Sequence, residues 1–349
     1  MHRLPLTRRA ALVAATALAL VAAPFVAEAA TTTDAGDDAR RAVVDLSGAI
    51  DATTTVQAAS VPAEATGIGP GSHLLIEMDG GLYGCTASWI HESGGQLLLG
   101  AAGHCFMPAT ATATHGPGAD WDPADTQVRV CVSECTNGGM TGFVIQGTTV
   151  ALGPVAYARQ EESKGGEQVG WDFGVVEIPS ELHDLVRTTM PVFGGPDQEV
   201  ELASGDQVCH YGNGIAVGEV WPTMARSGVG ILSDADAWYA ASPSAPGDSG
   251  SAVQTCTPGA EGLEGVGAVG TLTHLTSLGV AGTTNARAVE MAQQDAGLAL
   301  QVVLGDLPTG GGSTDDGSSD DGSTDDGSTD GGGKGQGKGK GGGKGKPTA

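Results

Sequence analysis

Between Ser72 and Val303 the sequence is cut into short apolar runs rich in β-branched residues. Among them are His73-Leu74-Leu75-Ile76-Glu77, Gln127-Val128-Arg129-Val130 and Gly142-Phe143-Val144-Ile145, each closed off by Gly, Pro, Asn or Asp. Runs of this length, punctuated so often by turn formers, read as strands rather than helices. No strand–helix alternation accompanies them, so the expected class is all-β, an antiparallel sandwich or barrel. One late segment departs from this pattern. From Ala286 to Val303, Ala288, Val289, Ala292, Ala296, Leu300 and Val303 fall near helical spacing with no internal proline, which predicts a C-terminal amphipathic helix. Gly297 weakens its last turns.

The chain opens with Arg3, Arg8 and Arg9, then an almost uncharged run from Ala10 to Ala27, then Ala27-Glu28-Ala29. That is the pattern of an export signal over residues 1–29, so the expected product is secreted and extracellular, with no stable membrane span. The paired arginines in Leu6-Thr7-Arg8-Arg9 suit either the general secretory or the twin-arginine route. Residues 30–71, rich in Ala, Thr, Asp and Gly, read as a pro-segment or linker, and residues 72–305 as the folded body. Residues 306–349 repeat Asp-Asp-Gly-Ser and then Gly/Lys, a composition that cannot bury enough apolar surface to fold. The acidic period lacks the ligand pattern of a calcium loop, and the basic end is a candidate for contact with anionic cell-surface polymers.

In an exported chain the six cysteines point to disulfides rather than metal ligands, with fifteen possible pairings. A formal charge of −25, with Lys164 the only lysine before the tail, argues against nucleic acid as a partner.

Three local sequences carry chemistry. Leu97-Leu98-Leu99-Gly100-Ala101-Ala102-Gly103-His104-Cys105 runs an apolar strand into a small-residue turn that holds a histidine. Trp171-Asp172-Phe173-Gly174-Val175-Val176-Glu177-Ile178 brings an acid into a strand between aromatic side chains. Pro246-Gly247-Asp248-Ser249-Gly250-Ser251-Ala252-Val253 sets a serine between glycines that let the backbone turn sharply. Acyl transfer by a serine needs these parts: a nucleophile, a base, an acid that orients the base, and donors for the developing oxyanion.

In the order His, Asp, Ser, these segments resemble the chymotrypsin-like serine peptidases, especially their secreted bacterial members. The resemblance covers roughly Ser72 to Val303. It implies two antiparallel six-stranded β-barrels with the active site between them, a C-terminal α-helix, no cofactor and no metal, and a protein or peptide as substrate. Ser249 would be the nucleophile, His104 the general base and then acid, and Asp172 the residue that orients the imidazole. Gly247 and Ser249 would supply the oxyanion N–H groups.

Asp248 would be a buried acid paired with a freed N-terminal ammonium or with an arginine, and no partner is evident in the sequence. No Ile-Val-Gly-Gly activation sequence precedes the first barrel, and the serine motif ends in Ser251 where many members carry a second glycine. The resemblance further implies disulfides Cys85–Cys105, Cys131–Cys135 and Cys209–Cys256.

For the substrate pocket it implies a floor at Pro243 and Ser244, within Ser242-Pro243-Ser244-Ala245, with no acid to receive Lys or Arg. It also implies a substrate-pairing strand along Val269, Gly270, Thr271 and Leu272, where Leu272 narrows the pocket, and a further wall at Gly279-Val280. Together these favour cleavage after small or apolar residues. His274 is a candidate receiver for an acidic side chain. The rival reading is a peptidase-fold binding or adhesion protein without catalysis, against which the presence of all three residues counts. An esterase with the same triad is a third.

Overall fold

The computed structural model describes residues 42–44, 66–136, 146–161, 169–215, 224–260 and 262–305. The export signal, most of the 30–71 segment, the run Gly142–Ile145 and the 306–349 tail lie outside them. In chain order the described strands are β1 (Ala42–Val44), β2 (His73–Met78), β3 (Gly81–Thr86), β4 (Ile90–Ser93), β5 (Gln96–Ala101), β6 (Gln127–Thr136), β7 (Gln146–Ala151), β8 (Val155–Gln160), β9 (Asp172–Glu177), β10 (Gln198–Glu199), β11 (Gln207–Tyr211), β12 (Ala225–Ser233), β13 (Ala237–Ala241), β14 (Ala252–Pro258), β15 (Leu263–Thr276) and β16 (Gly279–Thr284). Helix α1 (Asn285–Ala296) follows, and then β17 (Gln301–Val302).

The first half, joined by β17 from the far end of the chain, forms two antiparallel sheets, ordered β1-β3-β2-β6-β7 and β17-β4-β5-β9-β8. The chain crosses between them three times, from β3 into β4, from β5 into β6 and from β7 into β8. At the last of these Leu152 N donates to Val128 O and Gly153 N to Glu177 O, both at 2.9 Å, so one bend is fastened to both sheets. Alternation puts Leu74, Ile76 and Met78 of β2 inward, where they meet Leu99 of β5, Val130 of β6 and Val176 of the β9 strand. Burying each such side chain contributes about 1.5–3 kcal/mol.

In the second half, β11 pairs with β12, β12 with β13, β13 with β16, β16 with β15, β15 with β14, and β14 with β11 again. The ring is closed around Val208, Trp238, Ala240, Val253, Val269, Leu272 and Val280. The two-barrel expectation thus meets a closed six-strand ring in the second half and, in the first, two sheets joined through shared bends.

Two boundaries differ from the sequence reading. The packed body starts before Ser72: Ile68 is fully buried in the first core, its N–H donates to Leu185 O at 2.8 Å, and Gly71 N donates to Ala87 O at 2.9 Å. The segment carries few apolar residues, so its periodicity hid the one that packs.

The helix ends at Ala296 rather than Val303. Thr284 Oγ1 caps its start, accepting from Arg287 N at 3.2 Å, and Gly297 ends it in the left-handed conformation at φ 69°. Ala288, Met291 and Ala292 pack on Leu98, Tyr157 and Phe173, and the chain then adds β17 to the edge of β4. Among the described residues no helix is long and apolar enough to cross a membrane.

Candidate active site

Strand β5 delivers the chain into a 3-10 turn, Gly103–Cys105, that holds His104 with 1 % of its surface exposed. The turn lies against strands β8 and β9, and a Cβ on Gly103 would stand 1.9 Å from Arg159 O, so only glycine permits the approach. Asp172, the first residue of β9, is thereby held on the histidine. Its Oδ1 accepts from His104 N at 3.0 Å, and its Oδ2 lies 2.6 Å from His104 Nδ1. Burial alone would raise the Asp172 carboxyl. The His104 charge and hydrogen bonds, with His274 beyond, outweigh burial and hold the carboxyl below the usual carboxylate range. Occupying Nδ1 in this way leaves Nε2, which is buried without a hydrogen-bond partner, as the ring atom able to receive a proton.

Ser249 is brought to the same place by backbone fastenings. Ser249 O accepts from Thr86 N at 2.8 Å, Gly250 N donates to Leu272 O at 2.7 Å, and Ser251 N closes a tight turn on Asp248 O at 2.9 Å. A Cβ on Gly250 would meet Thr86 O at 2.1 Å and approach Ala101 and Ala102, the residues that lead into the His104 turn. Ser249 exposes 7 % of its surface against 3 % for Asp172, which makes it the most accessible of the three. Gly247 takes φ 97°, and its carbonyl is turned away onto Thr86 Oγ1 at 2.8 Å.

The partner of Asp248, unseen in the sequence, is Arg226 on β12. The guanidinium Nη1 bonds Asp248 Oδ2, which also accepts from Ser244 Oγ at 2.8 Å and Ala245 N at 2.7 Å, while Oδ1 accepts from Gly214 N at 2.7 Å. Burial pushes the Asp248 carboxyl up. Arg226, more than offsetting it, keeps the carboxyl below its usual range. The disulfides are those the resemblance implied: Cys85–Cys105 at 2.03 Å, Cys131–Cys135 at 2.04 Å and Cys209–Cys256 at 2.09 Å. The first ties β3 to the histidine turn. The third ties β11 to the strand leaving Ser249.

This arrangement is one that can transfer an acyl group. The chain is similar in structure to bacterial serine proteases. Those it is similar to include Thermobifida fusca protease A (17 % identity, 68 % of this chain and 99 % of that one, TM-score 0.35), the protease Anisep from Arthrobacter nicotinovorans (13 %, 66 % and 95 %, 0.41) and Cellulomonas bogoriensis chymotrypsin (14 %, 68 % and 99 %, 0.34). No family model and no curated protein matches the sequence. At such scores the side-chain geometry, rather than these likenesses, supports a function.

The pocket residues divide. Pro243 is exposed and its carbonyl lies 3.1 Å from His210 Nε2, while Ser244 is turned onto Asp248. Gly270 and Thr271 do not offer backbone to a substrate: they pair with Val253 and Ala252 on one side and with Thr284 and Thr283 on the other. Leu272 is likewise committed, donating to Ser251 O at 2.9 Å and accepting from Gly250 N. The expected substrate-pairing strand is therefore misplaced. Past Leu272 the ladder to β14 has ended, and the ladder to β16 is interrupted by a bulge between Leu272 and His274. His274 is buried, with Nδ1 2.6 Å from Thr273 Oγ1.

Proposed function

We propose that this chain is an exported serine endopeptidase. The observation that carries this reading is the double hold of Asp172 on His104, on its N–H and on Nδ1, beside the turn to which the Ser249 loop is fastened. In the proposed reaction Ser249 Oγ attacks the scissile carbonyl carbon and its proton passes to His104 Nε2. Asp172 stabilises the imidazolium, and the N–H groups of Gly247 and Ser249 receive the oxyanion. His104 then gives the proton to the leaving amine. Water enters by the reverse sequence and releases the acid from Ser249.

The site needs no cofactor for these steps. Ser242, Pro243, Ser244 and Ala245 contain no acid, which supports cleavage after small or apolar residues rather than after Lys or Arg.

The test is to incubate the exported protein with a fluorophosphonate probe and with casein, beside Ser249→Ala. Labelling and casein cleavage in the wild type, both lost in the variant, are expected. A wild type that neither labels nor cleaves would leave the fold as a binding scaffold.

A further inference from the structure

Asp172 holds His104 through its carboxylate, and its main chain is in turn gripped from the other half of the molecule. Thr283, on β16 of the closed ring, is fully buried. Its Oγ1 donates to Asp172 O at 2.8 Å and accepts from Asp172 N at 3.4 Å. The same oxygen lies 3.4 Å from Val169 O, the residue that leads into the Trp171-Asp172 pair.

Thr283 is itself immobilised. It pairs with Thr271 on one side and Ala237 on the other, and its carbonyl accepts from Trp238 Nε1 at 3.2 Å. One hydroxyl therefore fixes where β9 begins, and with it where the carboxylate stands relative to His104.

We propose that Thr283 is a positioning residue for Asp172: a bridge from the second-half ring that sets the Asp172–His104 geometry without touching substrate. This rests on the endopeptidase reading. A valine at 283 keeps the shape and volume of the side chain but neither donates nor accepts, so the Asp172 N–H and C=O lose their shared partner in a buried site. A serine keeps the hydroxyl. A displacement of the acid by a fraction of an ångström weakens the short Nδ1–H···Oδ2 bond and misaligns the base, whereas substrate binding is left alone.

The experiment compares Thr283→Val and Thr283→Ser with wild type. For a peptide substrate, the expectation is a kcat roughly ten-fold or more below wild type in Thr283→Val with KM unchanged, and near-complete retention in Thr283→Ser. Proton NMR on the same proteins supplies a readout independent of turnover. The downfield resonance of the His104 Nδ1–H, expected in wild type and Thr283→Ser, should move upfield or broaden in Thr283→Val while the remaining dispersed spectrum stays folded.

A Thr283→Val protein with the wild-type resonance and wild-type kcat would overturn the proposal. So would equal losses in the Val and Ser variants that track only a fall in Tm. If the wild type hydrolyses nothing, the endopeptidase reading fails, and the resonance still decides whether Thr283 positions Asp172.

Discussion

A buried carboxylate is tolerable only if its surroundings replace water, and Asp248 is supplied with Arg226, Ser244 Oγ and the N–H groups of Ala245 and Gly214. Removing the cation leaves the carboxylate buried and uncompensated. Arg226→Met is therefore expected to lower stability by about 3–5 kcal/mol, read from urea unfolding. Fluorophosphonate labelling of Ser249 should fall with it, because Asp248 shapes the loop between Gly247 and Ser251. Adding Asp248→Asn should recover part of the stability, since the orphaned charge is then gone; no recovery would mean that Arg226 acts through packing alone.

Residues of this kind also mark the limit of what the sequence discloses. His104, Asp172 and Ser249 each sit in a contiguous string whose small residues shape one turn or strand entry, so a few letters identify them. Arg226 meets Asp248 only because β12 pairs with β11 in a register that sets Arg226 opposite His210, and no local string encodes that.

Among the elements, α1 shows how one residue sets a boundary. The apolar spacing continues past Ala296 and predicts a helix to Val303, yet Gly297 turns the chain left-handed and frees it to add β17 to β4. Nothing lies within 4 Å of a Cβ built on Gly297, so substitution there meets conformational cost without a clash. Gly297→Ala should destabilise the protein by roughly 1 kcal/mol, measured as a shift in urea midpoint at constant slope. A neutral result would mean that the turn relaxes. The helix is docked partly through Trp171, which lies between the guanidinium of Arg287 at 3.5 Å and that of Arg159 at 4.7 Å.

The strand β15 carries the opposite lesson. Its β-branched run is legible in the sequence, but its pairing on both sides is not, and so Gly270, Thr271 and Leu272 look from sequence alone like backbone open to substrate. Period-two patterning reports which face is buried and is silent on which edge is occupied.

At the scale of the whole molecule, folding buries, among the described residues, three histidines whose rings are pushed toward the neutral form. Burial pushes His73, His91 and His210 each down to about 4 from an ordinary 6.5. Between those values the unfolded chain binds protons that the folded one does not, so stability rises with pH across that window and is lost as pH falls from about 6.5 toward 4. Each ring contributes roughly 3 kcal/mol to the total loss. The urea midpoint should accordingly drop steeply between pH 7 and pH 5, and His91→Phe, beside Phe173, should flatten the slope. An unchanged midpoint over that range would refute the assignment.

At this scale the all-β class was legible from run length and turn formers. The closure of the second half was not, since β11 and β14, which complete the ring, are far apart in sequence.

The position of Arg226 has one more consequence. A loop whose shape depended on a chain terminus would be completed only after a cut at one particular bond, leaving one particular first residue. In this molecule the cation for Asp248 lies inside the fold, on a strand that no cut ahead of Thr66 would disturb. The loop from Gly247 to Ser251 therefore draws no support from an amino terminus, and a ragged or blocked end ahead of Thr66 would leave the Arg226–Asp248 pair in place.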